Sequence, residues 1–269
     1  MIMSRETIKS RKNPLVQRAR AVRDGRERDS VFVEGVRLCE EALSASIDFE
    51  VVLYTQGLAA DERGATLLEK LRDVCPSLVL VGESVLESVS DTKTPQGIVA
   101  LARRPQTGRE IVERAKGTPL IVVMHGANNP SNAGAMLRVA EAAGATAAIL
   151  TKGSTDPLSA RALRGSMGSA FRLPLWTGPT FEETLRWCAE RGIRTVTTDA
   201  TSASTHTEFE WTNALAVILG PEAVGLSDAE VRAADESVRI PMREPVESLN
   251  VAVALAVVLY EAARQRGFR

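Results

Sequence analysis

The chain has 269 residues, of which 44% are hydrophobic and 25% charged. This ordinary globular composition excludes disordered, collagen-like and disulfide-scaffold proteins. Lys and Arg number 33 against 34 Asp and Glu, for a net charge of −1, so no overall basicity advertises a nucleic-acid binder. At roughly 150 residues per domain the length suits two modest domains or one large one. Cys39, Cys75 and Cys188 are far apart and form no CxxC, which argues against a disulfide framework or zinc cluster and for a reducing compartment. The longest apolar run, Val251–Tyr260, has ten residues, half of the roughly 20 that a spanning helix needs. The N-terminus lacks the apolar stretch of a signal peptide. A cytoplasmic protein with no membrane partner is expected.

The average charge hides a local asymmetry. Residues 1–28 carry nine Lys and Arg (Arg5, Lys9, Arg11, Lys12, Arg18, Arg20, Arg23, Arg26, Arg28) against Glu6, Asp24 and Glu27. Such a stretch either neutralises nucleic-acid phosphates or forms a solvated helix face. Strands are expected at Ser30–Glu34, Val51–Tyr54, Leu78–Val81 and Ile98–Leu101, with helices at Val36–Ala45 and Gly64–Val74. This makes residues 1–103 a small α/β domain. A charged stretch with Gly108, Gly117 and prolines reads as a linker over 104–118, leaving 119–269 as the second domain.

The second domain alternates more cleanly. Strands are expected at Leu120–Met124, Ala147–Thr151, Phe171–Leu175, Thr195–Thr198, Leu215–Leu219 and Ser237–Ile240. Helices fall between them, and a long last helix spans Val246–Gln265. Continuously apolar strands alternating with helices predict a parallel sheet covered on both faces, with ligands at the carboxyl ends of the strands.

Three segments follow such strands. HGANNPSNAGAMLRVAEAAGA places Asn132 and Arg138 at the start of a helix, an anion site or simply an Asn-rich cap. LGPEAVGLS contains Gly220 and the acid Glu222. IPMREPVESLNVAVALAVVLYEAA holds Ile240, Ser248, a candidate N-cap, Leu249 and Asn250. There is no GxGxxG, GxxxxGK[ST], HExxH or GxSxG, which disfavours dinucleotide enzymes, ATPases, metalloproteases and α/β-hydrolases. His125 and His206 lack companions for a metal, and none is expected. His125 reads as a structural hydrogen-bonding residue or a ligand contact, and Trp176 and Trp187 as core residues.

In this order, within about 130 residues, the three segments resemble the motifs of the SpoU (TrmH-like) RNA methyltransferases. SRKNPLVQRAR, FVEGVRLCEEAL and DTKTPQGIVA resemble that family's substrate-binding extension, so the likeness covers nearly the whole chain. It implies a SPOUT-type α/β catalytic domain whose C-terminal segment threads a deep trefoil knot, preceded by a ribosomal-protein-like RNA-binding domain. It also implies homodimers paired through knot-region helices, with S-adenosylmethionine held in the knot loops. The implied reaction is transfer of a methyl group to a ribose 2′-hydroxyl. Ribosomal RNA, 23S above all, is favoured, while tRNA or a non-catalytic ribosome-assembly role remain alternatives.

Carried over by position, Asn132, Arg138, Glu222, Ser248 and Asn250 fall on the family's catalytic positions, and Gly220, Ile240 and Leu249 on its cofactor contacts. Arg138 is either the general base or, because guanidinium stays protonated, a clamp on the phosphate beside the target ribose. Arg164 and Ser166, in another polar loop, are possible RNA contacts. Many relatives have an acid where His125 stands.

Overall fold

Ser30–Glu34 is buried at all five positions, which a strand sustains where both its faces are covered. In the computed structural model, which describes residues 7–267, this run belongs to a first unit made of Met1–Pro105 and Leu158–Phe171. Arg5 and Glu6 of the basic stretch lie outside the described residues. Helix α1 (Pro14–Arg23) starts on Asn13, whose side chain accepts from the Leu15 N–H at 2.9 Å. Pro14 occupies the first helical position, where a missing N–H costs nothing. There follow β1 (Ser30–Glu34), α2 (Val36–Ser44), β2 (Phe49–Tyr54), α3 (Gln56–Ala60), α4 (Glu62–Val74), β3 (Leu78–Leu80), α5 (Glu83–Val89) and β4 (Ile98–Arg103).

The sheet order is β1-β4-β2-β3, with β4 antiparallel to both neighbours and β3 parallel to β2. Strand β2 begins earlier and β4 ends later than the apolar runs suggest. The pairs Phe49↔Ala102 and Ser30↔Arg103 carry the ladder past them. Val16, Phe32, Leu53, Leu86 and Leu101 are among the residues that fill the core.

The stretch 104–118 has structure of its own. Helix α6 (Arg109–Glu113) buries Val112 in the second unit's core, and the Gly108 N–H donates to the Leu175 carbonyl at 2.8 Å. The second unit comprises Gln106–Pro157 and Arg172–Arg269. It begins with β5 (Leu120–Met124), α7 (Pro130–Ala142) and β6 (Ala147–Leu150), and the chain then passes through α8 (Ala160–Ser166) and α9 (Ser169–Arg172). The remainder is β7 (Leu175–Thr177), α10 (Phe181–Ala189), β8 (Arg194–Thr198), β9 (Leu215–Leu219), α11 (Asp228–Ala233), β10 (Glu236–Val238) and α12 (Val251–Gln265). The sheet is parallel throughout, in the order β10-β8-β9-β5-β6-β7. From β10, at one edge, the chain returns to pack α12 against α7, the helix that follows central β5. This path is consistent with the expected knot.

Three expectations need correction. The strand expected at Phe171–Leu175 begins only after Pro174, which has no N–H for a ladder, and Ser169–Arg172 forms a helical turn instead. The last helix starts at Val251. Asn250, not Ser248, caps it by accepting from the Ala252 N–H at 3.0 Å, and Val246–Asn250 stay non-helical and exposed. The segment Leu158–Phe171 clusters with the first unit. There Arg164 pairs with Asp91 and with Glu34, whose side chain is only 3% exposed. Ser166 is buried and donates to the Leu163 carbonyl at 3.0 Å. Ser166 is therefore no RNA contact, and Arg164 is committed to two carboxylates.

Candidate functional site

The strand order reverses between β9 and β5. β5, β6 and β7 build outward on one side, and β8 and β10 lie on the other. In parallel sheets a ligand crevice opens outside the carboxyl ends at such a point. A cleft of ≈ 610 Å³ lies there, walled by the ends of β8 and β9, the loop after β9, residues around Ile240, and the start of α12. Its residues come from segments up to about 120 positions apart, which the parallel sheet brings together.

Helix α7 supplies Asn132. Asn129 caps this helix by accepting from the Ser131 N–H at 2.9 Å and the Asn132 N–H at 3.4 Å, with Pro130 at its first position. This sets Asn132 in the first turn, where its Oδ1 accepts from Asn250 Nδ2 at 3.4 Å. Asn250 thus does two jobs. Its oxygen caps α12 and its amide nitrogen reaches the first turn of α7, so the starts of both helices are locked at the cleft.

The loop Gly220–Leu226 folds tightly back on itself. Gly225, at φ +67°, donates to the Pro221 carbonyl at 2.8 Å. A side chain at Gly220 would bring its first carbon to 2.6 Å from the Leu226 nitrogen and 2.8 Å from the Gly225 carbonyl carbon. Only glycine lets the loop close so near its own root. Glu222 lies exposed in this loop.

Of the residues singled out in the sequence, the cleft brings together Asn132, Gly220, Glu222, Ile240, Ser248, Leu249 and Asn250. Arg138 is not among its lining residues. It stands six positions beyond Asn132 on α7, exposed, and pairs with no carboxylate among the described residues. The sequence reading missed Thr198, Asp199 and Ala200, which line the cleft just past β8. Their signal was positional, as the first residues after a strand beside the switch point.

His125 lies partly buried beside the cleft loop. Its Nδ1 lies 2.9 Å from Thr151 Oγ1 and its Nε2 2.9 Å from Glu230 Oε1, on α11. Both ring nitrogens are engaged within the fold, which is the structural role. Burial alone would raise the Glu230 carboxyl, but bonds from the Ser227 N–H and hydroxyl and from His125 outweigh it and hold it below the usual carboxylate range. A depressed carboxyl stabilises the fold above its ordinary pKa of about 4.3, and that contribution is lost as pH falls through the lower folded value. His125→Ala is expected to cost about 1–2 kcal/mol, read from denaturant midpoints at pH 7, with turnover retained. Glu230→Gln should flatten the acid limb of stability below about pH 4. A His125→Ala protein of parental stability would contradict the structural role.

The charged residues of the cleft wall are Asp199, Glu222 and Glu247, and among the described residues no Lys, Arg or His lines it. Such a wall repels phosphate and attracts a cation. The remaining lining mixes glycine and backbone groups with Leu219, Ile240, Met242 and Leu249, apolar surface for a flat heterocycle. S-adenosylmethionine, with a sulfonium, an ammonium and a single carboxylate, matches this donor set. A dinucleotide or a nucleoside triphosphate does not. Among the described residues, no group of three or more His, Cys, Asp or Glu could hold a metal, and no helix is long and apolar enough to cross a membrane.

Fold and cleft together define an α/β protein that takes a cationic cofactor at the carboxyl ends of a parallel sheet. Residues 119–260 match the model of the SpoU rRNA methylase family, and residues 13–100 that of the MRM3-like substrate-binding domain. A 23S rRNA (guanosine-2′-O-)-methyltransferase RlmB of Burkholderia is 33% identical over 209 residues, 77% of this chain and 85% of that protein. The crystal structure of an RNA 2′-O ribose methyltransferase is 34% identical with a TM-score of 0.83, covering 97% of this chain and 99% of the other. The SpoU methyltransferase AviRb of Streptomyces viridochromogenes, solved with AdoMet, is 28% identical with a TM-score of 0.85, covering 95% and 98%. The chain belongs to the SpoU rRNA methylase family.

Proposed function

We propose that the protein transfers a methyl group from S-adenosylmethionine to a ribose 2′-hydroxyl of ribosomal RNA, 23S rRNA in the first place. The observation that carries this reading is the acid-walled, glycine-built cleft, lying within the part of the chain that matches the methylase family. The similarity to RlmB over most of both chains favours 23S rRNA over tRNA. The match of residues 13–100 to the MRM3-like substrate-binding domain supports an RNA-binding role for the first unit.

In this reading Gly220, Ile240 and Leu249 hold the cofactor, which supplies a methyl group already activated by the sulfonium. The protein must then align the attacking hydroxyl and remove its proton. Asn132, Ser248 and Asn250 orient the reacting groups, and Glu222 contributes its charge at the cleft mouth. Arg138 clamps the phosphate beside the target ribose, and that phosphate helps to take the hydroxyl proton. A guanidinium suits the clamp because it presents a planar fork of donors and does not deprotonate.

We also propose a homodimer paired through α7 and α12. Val253 and Tyr260 of α12 are each 51% exposed, an apolar stripe that a second copy would cover, and Arg138 on α7 would then lie at the interface. Sedimentation at micromolar concentration tests this, since a monomer would refute it. A ribosomal RNA substrate sets the workplace in the cytoplasm.

The test of function is transfer of labelled methyl from S-adenosylmethionine to unmodified 23S rRNA, 16S rRNA and tRNA. Label on 23S rRNA alone is expected. Label on tRNA alone would move the substrate, and failure to bind S-adenosylmethionine would refute the reading.

A further inference from the structure

Nine Lys and Arg crowd the first 28 positions, and the structure divides those it describes. Three arginines of α1 are taken up by the fold. Arg18 pairs with Glu27 at 2.8 Å and with Glu50 of β2 at 2.5 Å. Arg20 donates to the Ser88 carbonyl at 3.0 Å, and Arg23 to the Val89 carbonyl at 2.9 Å. These bonds tie α1 to the last turn of α5 and to the sheet. They also use up donors that a phosphate would need.

Lys9, Arg11 and Lys12 differ. All three are exposed, and no carboxylate among the described residues pairs with any of them. They sit on a turn whose backbone is fixed along its length. The Ile8 N–H donates to the Leu80 carbonyl at 2.9 Å, and the Gly82 N–H donates to the Ile8 carbonyl at 3.0 Å, which pins the turn beside β3. The Asn13 N–H donates to the Ser10 carbonyl and the Lys12 N–H to Ser10 Oγ, both at 3.2 Å. Gln17 Nε2 donates to the Lys12 carbonyl at 3.1 Å, and Arg20 Nη1 to the Arg11 carbonyl at 3.5 Å. Two side chains of α1 are thus spent on holding a turn of Ser10, Arg11 and Lys12, which has no apolar residue to bury. Ordering the backbone before binding removes an entropy cost that a flexible basic tail bears on contact.

We infer that Lys9, Arg11 and Lys12 form a preordered contact for RNA backbone phosphates, and that Arg18, Arg20 and Arg23 hold the fold. This deepens the methyltransferase reading and rests on its RNA substrate. Contacts to phosphate bring affinity without sequence choice, and each neutralised phosphate steepens the salt dependence of binding by about 0.7–0.9 in log–log slope.

The test is binding of the full chain to unmodified 23S rRNA and to tRNA across a range of salt concentrations. The triple variant Lys9→Gln, Arg11→Gln, Lys12→Gln should give a slope shallower by about 2–3, and affinity lower by about 100-fold at 0.1 M salt. Both RNAs should be affected alike, and S-adenosylmethionine affinity unchanged. Arg11→Gln alone should flatten the slope by about 1. The control pair Arg18→Gln, Arg23→Gln, whose side chains make no contact with the turn, should lower the denaturation midpoint while keeping the slope within 1 of the parent. A triple variant with the parental slope overturns the inference, as does a control pair that loses as much slope as the triple. A parent that binds no RNA overturns the substrate reading itself, and this assignment with it.

Discussion

Arg138→Ala is expected to lower kcat/KM for RNA by about 100-fold and to leave S-adenosylmethionine affinity unchanged. A forked, charge-assisted contact to phosphate is worth about 1.5–3 kcal/mol, and each 1.4 kcal/mol is tenfold in rate. The cofactor half of the prediction follows from geometry, because Arg138 is absent from the cleft wall. Arg138→Lys should recover only part of the loss, since an ammonium keeps the charge and loses the fork. The pH–rate profile separates the clamp from a base. A clamp leaves the shape of the profile the same in parent, Lys and Ala proteins. A base requires an ionisation that vanishes with the side chain, and its disappearance in Arg138→Ala would contradict the clamp.

Gly220→Ala should have the other large effect, on cofactor rather than RNA. The added carbon would sit 2.6 Å from the Leu226 nitrogen, which is backbone and cannot rotate away. Forcing one methyl into such a space costs about 1–3 kcal/mol, and the loop that must move forms one wall of the cleft. S-adenosylmethionine affinity is expected to fall by about 10- to 100-fold, while RNA binding through the first unit is retained. Titration of cofactor and RNA separately reads both. An alanine protein with parental cofactor affinity would mean that the loop does not shape the binding site.

The central strands were legible because their signal is local. Leu120–Met124 and Leu215–Leu219 are unbroken apolar runs and form β5 and β9 at those bounds. The motif loops were legible because they follow such strands. What escaped depends on partners remote in sequence. The apolar periodicity of the last helix extends back towards Val246, yet the helix begins where the Asn250 side chain takes the Ala252 N–H. The same amide reaches Asn132, 118 positions away. Helix α8 reads as one more crossover between parallel strands, but Arg164 finds Glu34 and Asp91 and clusters with the first unit. In the basic N-terminal stretch, charge alone could not separate arginines that hold carbonyl groups from cations left to solvent.

Where the methyl group lands distinguishes ribose from base methylation. Unmodified 23S rRNA should be incubated with the protein and S-adenosylmethionine, then cleaved in alkali and resolved to single nucleotides. A ribose 2′-O-methyl removes the nucleophile that alkali needs. One resistant linkage is therefore expected, formed by the parent protein and missing with Arg138→Ala. Methyl groups incorporated into 23S rRNA with every linkage still cleaved would place the modification on a base and contradict ribose methylation.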